Sequence, residues 1–300
     1  MKQNIKTLLL LLAIVTGFTF HGFLSQFSKL TPILLFFMLF FTFCSVDFKK
    51  IRYRKEYLLL VIYQVAVSLG IYLLVRQYNE ILAQGVMLCI LAPTAVAAVV
   101  MSSMLGANVA SVTSYSLLIN LIISFTAPIY FSIMDVPDIV PFWQSVQTIT
   151  LKIFPLLIIP MLLAIIIKKI SKKLGDGLKK LSGISFYLWV VSATIVMANT
   201  MKFILLQDSK NYLLIVLLIL SSLLICLFQF AFGYYYGKKY KDELACTQYI
   251  GQKNTILAIW MAQTFLNPIS SIAPAAYVLW QNFVNTYQLW QKNRKKNVTK

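Results

Sequence analysis

Residues 243–265 read ELACTQYIGQKNTILAIWMAQTF, and the polar run in their middle decides the fold. Between Thr247 and Thr255 an otherwise apolar segment carries two glutamines, a tyrosine, a glycine, a lysine and an asparagine. A helix facing lipid cannot carry such a cluster, because unsatisfied polar groups are costly where no water can solvate them. Gln and Asn side chains can join neighbouring membrane helices, but a lysine asks for more than that. Lysine at the centre of a membrane helix is unfavourable by about 2.5–3.5 kcal/mol. Lys253 lies roughly ten residues from each end of its segment, too deep for its stem to snorkel comfortably.

The acids offer it no partner. Asp47, Glu56, Glu80, Asp135, Asp138, Asp176, Asp208, Asp242 and Glu243 all fall in loops or at segment ends. Either Lys253 is neutral for part of the time, since burial disfavours the charged form, or the missing negative charge arrives with a ligand. Both options make it functional.

Working outward, 59% of the 300 residues are hydrophobic, 12% are charged, and the mean hydropathy is +0.78. A soluble domain carries about 25% charge, so the solvent for this chain is lipid. Long apolar blocks parted by short basic loops indicate helices, not the ~10-residue alternation of a barrel. The net charge of +18 does not indicate nucleic acid, because it sits in short loops where it fixes orientation and meets headgroups. Cys44, Cys89, Cys226 and Cys246 lie in apolar segments without metal or disulfide spacing, and His21 has no companion ligand. No metal or cofactor site is expected. The leucines from Leu8 to Leu12 resemble a signal peptide, but no small-x-small cleavage site follows, so the segment is read as a retained first helix.

Ten spans follow: about 7–23, 30–47, 57–75, 80–104, 107–134, 150–168, 183–203, 211–236, 243–265 and 269–290. With both termini in the cytoplasm, inside segments collect 21 of the 27 Lys and Arg and outside segments 5, leaving Lys253 alone. That asymmetry is a strong positive-inside signal for an inner-membrane protein.

A second break, Leu91-Ala92-Pro93-Thr94, interrupts span four, where Pro93 removes a backbone donor. Segment 92–119 weakly repeats as 252–281. Each runs from a polar break to a tight turn and then to a helix with a central asparagine, Asn120 or Asn282. Five spans per repeat force the second half to be inverted. Inverted repeats with matching broken helices mark secondary transporters. The expected fold is therefore an all-α polytopic membrane protein of two inverted five-helix repeats, residues 1–150 and 151–300.

Three stretches resemble the bile acid:sodium symporter family: Leu91-Ala92-Pro93-Thr94-Ala95-Val96-Ala97-Ala98, Gly251-Gln252-Lys253-Asn254-Thr255 and Tyr277-Val278-Leu279-Trp280-Gln281-Asn282. The resemblance implies a panel of about 1–50 and 150–205 and a core of about 55–135 and 210–291, with spans four and nine crossing at their breaks. It also implies that a small or amphipathic organic anion binds beside the crossing and is carried by alternating access. The departures are informative. Sodium-coupled members carry Ser-Asn where this chain has Val96-Ala97, a glutamate where it has Tyr249, and a glutamine where it has Lys253. Hard cations want several oxygen ligands, so sodium coupling is not expected and Lys253 is read as a tethered cation in its place; a sodium-coupled symporter of bile-acid type is the alternative. Titration of Lys253 would make the carrier proton-coupled.

The expected site is Lys253 for charge, with Asn254, Thr255, Thr94, Pro93, Tyr249 and Gln248 at the crossing. Ser114, Asn120 and Asn282 would add hydrogen bonds. A membrane enzyme would need paired acids, a His-rich metal motif or a Ser/His pair, none of which this sequence places in a span. A purely structural or receptor-like protein would need no broken helices.

Overall fold

The computed structural model describes residues 9, 12–13, 15–46, 51, 53–134, 142–206 and 212–298. The start of the expected first helix, the loop cations Lys2, Lys6, Lys49, Lys50, Arg52, Lys210 and Lys300, and the acids Asp47, Asp135, Asp138 and Asp208 lie outside these residues. Among the described residues the chain is helical throughout, and the only extended pairing is an isolated bridge between Thr94 and Lys253. Five helical stretches among the described residues are long and apolar enough to cross a membrane: His21–Cys44, Lys55–Val75, Val109–Met134, Val146–Ile170 and Tyr212–Lys239. The four cysteines are buried and free.

The helices in chain order are α1 (His21–Leu24), α2 (Thr31–Ser45), α3 (Lys55–Val75), α4 (Glu80–Leu91), α5 (Val96–Leu105), α6 (Val109–Met134) and α7 (Phe142–Ile170). There follow α8 (Lys172–Lys180), α9 (Ile184–Leu205), α10 (Tyr212–Lys239), α11 (Glu243–Gly251), α12 (Thr255–Phe265) and α13 (Ile272–Val298). The segments 80–104 and 243–265, expected as single spans, are each split at the polar stretch seen in the sequence, into α4 and α5 and into α11 and α12. The basic stretch after α7 is not an extended loop but the short helix α8. Its glycines, Gly175 and Gly177, did not outweigh a helix-favouring Leu/Lys pattern.

The chain divides into two compact units. The first contains residues 1–48, 124–215 and 259–271. In it α2 packs against α7 and α9, and Ser185 on α9 donates to Met38 O at 3.2 Å. The Lys168 ammonium at the end of α7 caps the carbonyl of Val46, just past α2.

The second unit contains residues 49–123, 216–258 and 272–300. Its helices are built inside out relative to a soluble core. α3 exposes Leu58, Leu59, Ile62, Leu73 and Leu74, whereas Tyr57, Leu60, Gln64, Ser68 and Tyr72 form its buried stripe at helical spacing. α10 exposes Leu213, Leu217, Leu220, Leu224 and Leu227 and buries Gln229. Leucine outside and amide inside is the arrangement a lipid solvent selects, since an apolar surface loses nothing there and a polar group must find a protein partner. α5 ends at Gly106, whose φ of +74° suits a residue without a Cβ, and Lys292 on α13 donates to Met104 O at 2.8 Å. α10 and α11 form a hairpin so tight that a Cβ on Gly237 would lie 2.5 Å from the Glu243 Cα.

Candidate functional site

Breaking two helices inside an apolar unit frees the last carbonyls of α4 and α11 and the first N–H groups of α5 and α12, and each must be satisfied or hydrated. Much of this demand is met by the breaks themselves. Pro93 ends α4 because it has no N–H to continue the ladder. The extended residues 92–95 then run antiparallel to 252–254. Ala95 N donates to Gln252 O at 2.9 Å, and Asn254 N donates to Pro93 O at 2.8 Å. The Thr94 hydroxyl closes the pairing by donating to Tyr249 O at 2.7 Å.

Side chains take the rest. At the end of α4, Gln229 donates to Cys89 O at 3.1 Å, Lys253 Nζ to Ile90 O at 2.9 Å, and Gln64 Nε2 to Leu91 O and Ala92 O at 3.0 and 2.9 Å. At the end of α11, Tyr277 OH donates to Gly251 O at 2.7 Å, and Gln281 Oε1 accepts from Lys253 N at 3.0 Å. Asn254 Oδ1 accepts from Leu257 N at 3.3 Å and so caps α12. Gly251 is required by close approach, because a Cβ there would meet the Phe230 ring at 2.6 Å.

Lys253 is 1% exposed. What its ammonium meets is the C-terminal turn of α4, the negative end of a helix dipole. The N-termini of α5 and α12, which begin at Val96 and Thr255, bring the positive ends of two half-helices to the same crossing.

Several polar atoms here are buried and have no hydrogen-bond partner among the described residues: Gln252 Oε1, Asn254 Nδ2, Gln248 Oε1, Asn285 Nδ2 and Asn120 Oδ1. An unpartnered buried amide costs on the order of 1–3 kcal/mol, so these atoms are ready to meet water or a ligand.

The expected residues fall into three groups. Pro93, Thr94, Tyr249, Lys253, Asn254 and Thr255 gather at the crossing, all buried or in its backbone pairing. Gln248 lies one turn back, where its amide donates to Asn285 Oδ1 and Gln288 Oε1 on α13. Ser114, Asn120 and Asn282 each bond to their own helix: Ser114 to Ala110 O, Asn120 to Ser116 O and Asn282 to Val278 O.

Four residues that sequence reading did not assign to the site hold it together: Gln64, Gln229, Tyr277 and Gln281. Each is a polar residue in the middle of an apolar helix, and a scan for isolated amides and phenols within the spans would have found them. No protein-family model matches the chain, and no curated protein resembles it closely enough to identify a relative.

Proposed function

We propose that the protein is a secondary carrier of a small or amphipathic organic anion, similar in plan to the bile acid:sodium symporter family but independent of sodium. In this reading ten spans form two inverted repeats in the inner membrane with both termini cytoplasmic. The two broken helices form the transport site, and access alternates between its two sides.

The observation that carries the reading is the crossing itself. Two interrupted helices pair through their breaks around a buried ammonium. Structural packing alone has no need of interrupted helices, since continuous ones satisfy their own backbone. Two helix N-termini and one lysine supply positive potential, and the orphaned Nδ2 of Asn254 supplies a hydrogen-bond donor. Together these features suit an anion. Lys253 Nζ binds a backbone carbonyl, the type of oxygen that also ligates hard cations. This supports its role as a tethered substitute for a bound ion.

The test is uptake or counterflow of radiolabelled organic anions in proteoliposomes with imposed sodium and proton gradients. Anion exchange that ignores sodium is the expected result. Sodium-driven uptake would overturn the ion-replacement part, and turnover of a lipid-linked substrate without transport would replace the reading with an enzymatic one.

A further inference from the structure

Asp242 forms a second polar centre in the same unit, separate from the crossing. It sits in the turn between α10 and α11, with its side chain only 9% exposed. The turn is closed by a backbone bond, Asp242 N to Gly237 O at 3.0 Å, and Lys241 before it holds a left-handed φ of 54°. Three other segments converge on the carboxylate. Ser111 on α6 donates its hydroxyl to Oδ2 at 2.5 Å, and Tyr57 on α3 donates to Ser111 Oγ at 2.9 Å. Arg54, just before α3, places Nη1 3.4 Å from the same Oδ2 and Nη2 3.4 Å from Glu56 Oε1. One guanidinium thus serves two carboxylates, and at long distance.

We propose that Asp242 is a proton-binding site, and that its occupancy gates movement at the crossing. The gating half rests on the carrier reading above; the proton site does not. The groups that face Asp242 are Arg54 just before α3, itself paired with Glu56, Tyr57 on α3, Ser111 from α6, and Glu243, Cys246 and Tyr249 along α11. Burial raises the carboxyl above its ordinary value. Ser111 and Arg54 oppose that rise, and neighbouring Glu243 adds to it.

Transfer of one proton from a hydronium ion breaks an O–H bond there, forms one on the carboxylate and releases water, leaving a neutral acid. The attraction to Arg54 ends, and the guanidinium is left to Glu56. The hydroxyl pair Tyr57–Ser111 loses its charged acceptor, and with it the stronger class of hydrogen bond. Tyr57 is also the link inward. Its ring packs edge-on against Tyr115 and Tyr249, with centroids 6.0 and 5.9 Å apart, and those two rings stack at 4.5 Å. Tyr249 O holds Thr94, and Tyr115 OH donates to Gln64, which caps the end of α4. One side chain therefore joins the titrating group to both broken helices.

The proton site is read directly by infrared titration of the full-length protein, following the carbonyl band of a protonated carboxyl. The wild type should show a band titrating above the ordinary carboxylate range of about 4, and D242N should lose it. S111A and R54Q should each move the midpoint up by about one pH unit, a tenfold gain in proton affinity, and E243Q should move it down. Persistence of the band in D242N overturns the site. So does a midpoint indifferent to S111A and R54Q, both of which leave the carboxyl itself intact.

The gate is read by anion exchange in proteoliposomes across pH. D242N should flatten the profile; an unchanged profile overturns the gating. Absence of exchange by the wild type at every pH would instead remove the carrier reading, while the infrared result would still decide the proton site.

Discussion

Replacing Lys253 with methionine separates a functional ammonium from a structural cap. Methionine keeps a long unbranched stem and deletes the charge. In the structure the lost contact is one bond, Nζ to Ile90 O at 2.9 Å, made by a side chain that is 1% exposed. A hydrogen bond involving a charged group contributes about 1.5–3 kcal/mol. Against it stands the relief of removing a lysine from mid-span, about 2.5–3.5 kcal/mol. The two nearly cancel, so K253M should unfold within about 1–2 kcal/mol of the wild type, on the more stable side. Anion affinity has no such compensation. A ligand charge about 8 Å from the ammonium gains roughly 2 kcal/mol at an effective dielectric constant of 20, which is about thirtyfold in Kd. Thermal unfolding in detergent and concentration-dependent counterflow in proteoliposomes measure the two quantities on one preparation. A variant destabilised by more than about 2 kcal/mol with unchanged anion affinity would instead show Lys253 to be a helix cap with no part in binding.

Gly251→Ala should lower stability by about 1–3 kcal/mol through overpacking, because its Cβ would press on the Phe230 ring at 2.6 Å. Adding Phe230→Ala should cost less than the sum of the two single changes; strict additivity in thermal unfolding would contradict the contact. Gln64→Leu should cost at least about 2 kcal/mol, since it strands Leu91 O, Ala92 O and the Tyr115 hydroxyl. Hydrogen exchange should then report loosened amides at the end of α4, and unaltered protection there would count against the capping role. Asp242 gives a pH prediction with a definite sign. Its folded value is raised, so its contribution to stability is fully present below the ordinary value of about 4 and is lost as pH rises through the folded value. Unfolding scans should show the wild type falling relative to D242N over that window, and parallel curves would contradict it.

Much of the crossing was legible in the sequence because membrane helices leave polar residues nowhere to hide. Pro93 and the run from Thr247 to Thr255 stand out against apolar surroundings, and the helices do break there. What sequence could not supply was direction. Asn120 and Asn282 look alike in the sequence, and both donate to carbonyls of their own helices, Ser116 O and Val278 O, but only Asn120 is among the residues that keep a buried unpartnered atom, its Oδ1, as Asn254 keeps Nδ2. An asparagine in a helix has that local partner always within reach, and only the three-dimensional neighbourhood decides whether it is used. The partner of Lys253 was invisible for a related reason. A sequence shows carboxylates, whereas the negative group Lys253 meets is backbone, the carbonyl of Ile90, and any residue type could stand at that position. Asp242 was passed over as a span-end acid for the same lack of depth information, although its side chain is nearly as buried as many core residues.

The difference between a bound ion and a tethered one has a consequence for the proposed carrier. An ion that occupies a carbonyl-lined site contributes its binding free energy only when it is present, so its gradient can drive a cycle. A lysine in the same place is tethered there at every step. While charged it can complete the site electrostatically, holding the end of α4 against α11 as the Lys253–Ile90 bond does, but it adds no sodium-dependent term to the equilibrium between conformations. Dependence on external conditions must then enter through the charge of the substrate, through titration of Lys253 itself, or through another group that exchanges with solvent. Within the second unit Asp242 is such a group, near the surface, coupled through Tyr57 to both broken helices. A carrier built this way should respond to pH and to anion gradients while remaining indifferent to sodium, and K253Q should not restore a sodium response, because a single amide oxygen does not rebuild the several-oxygen shell a hard cation requires.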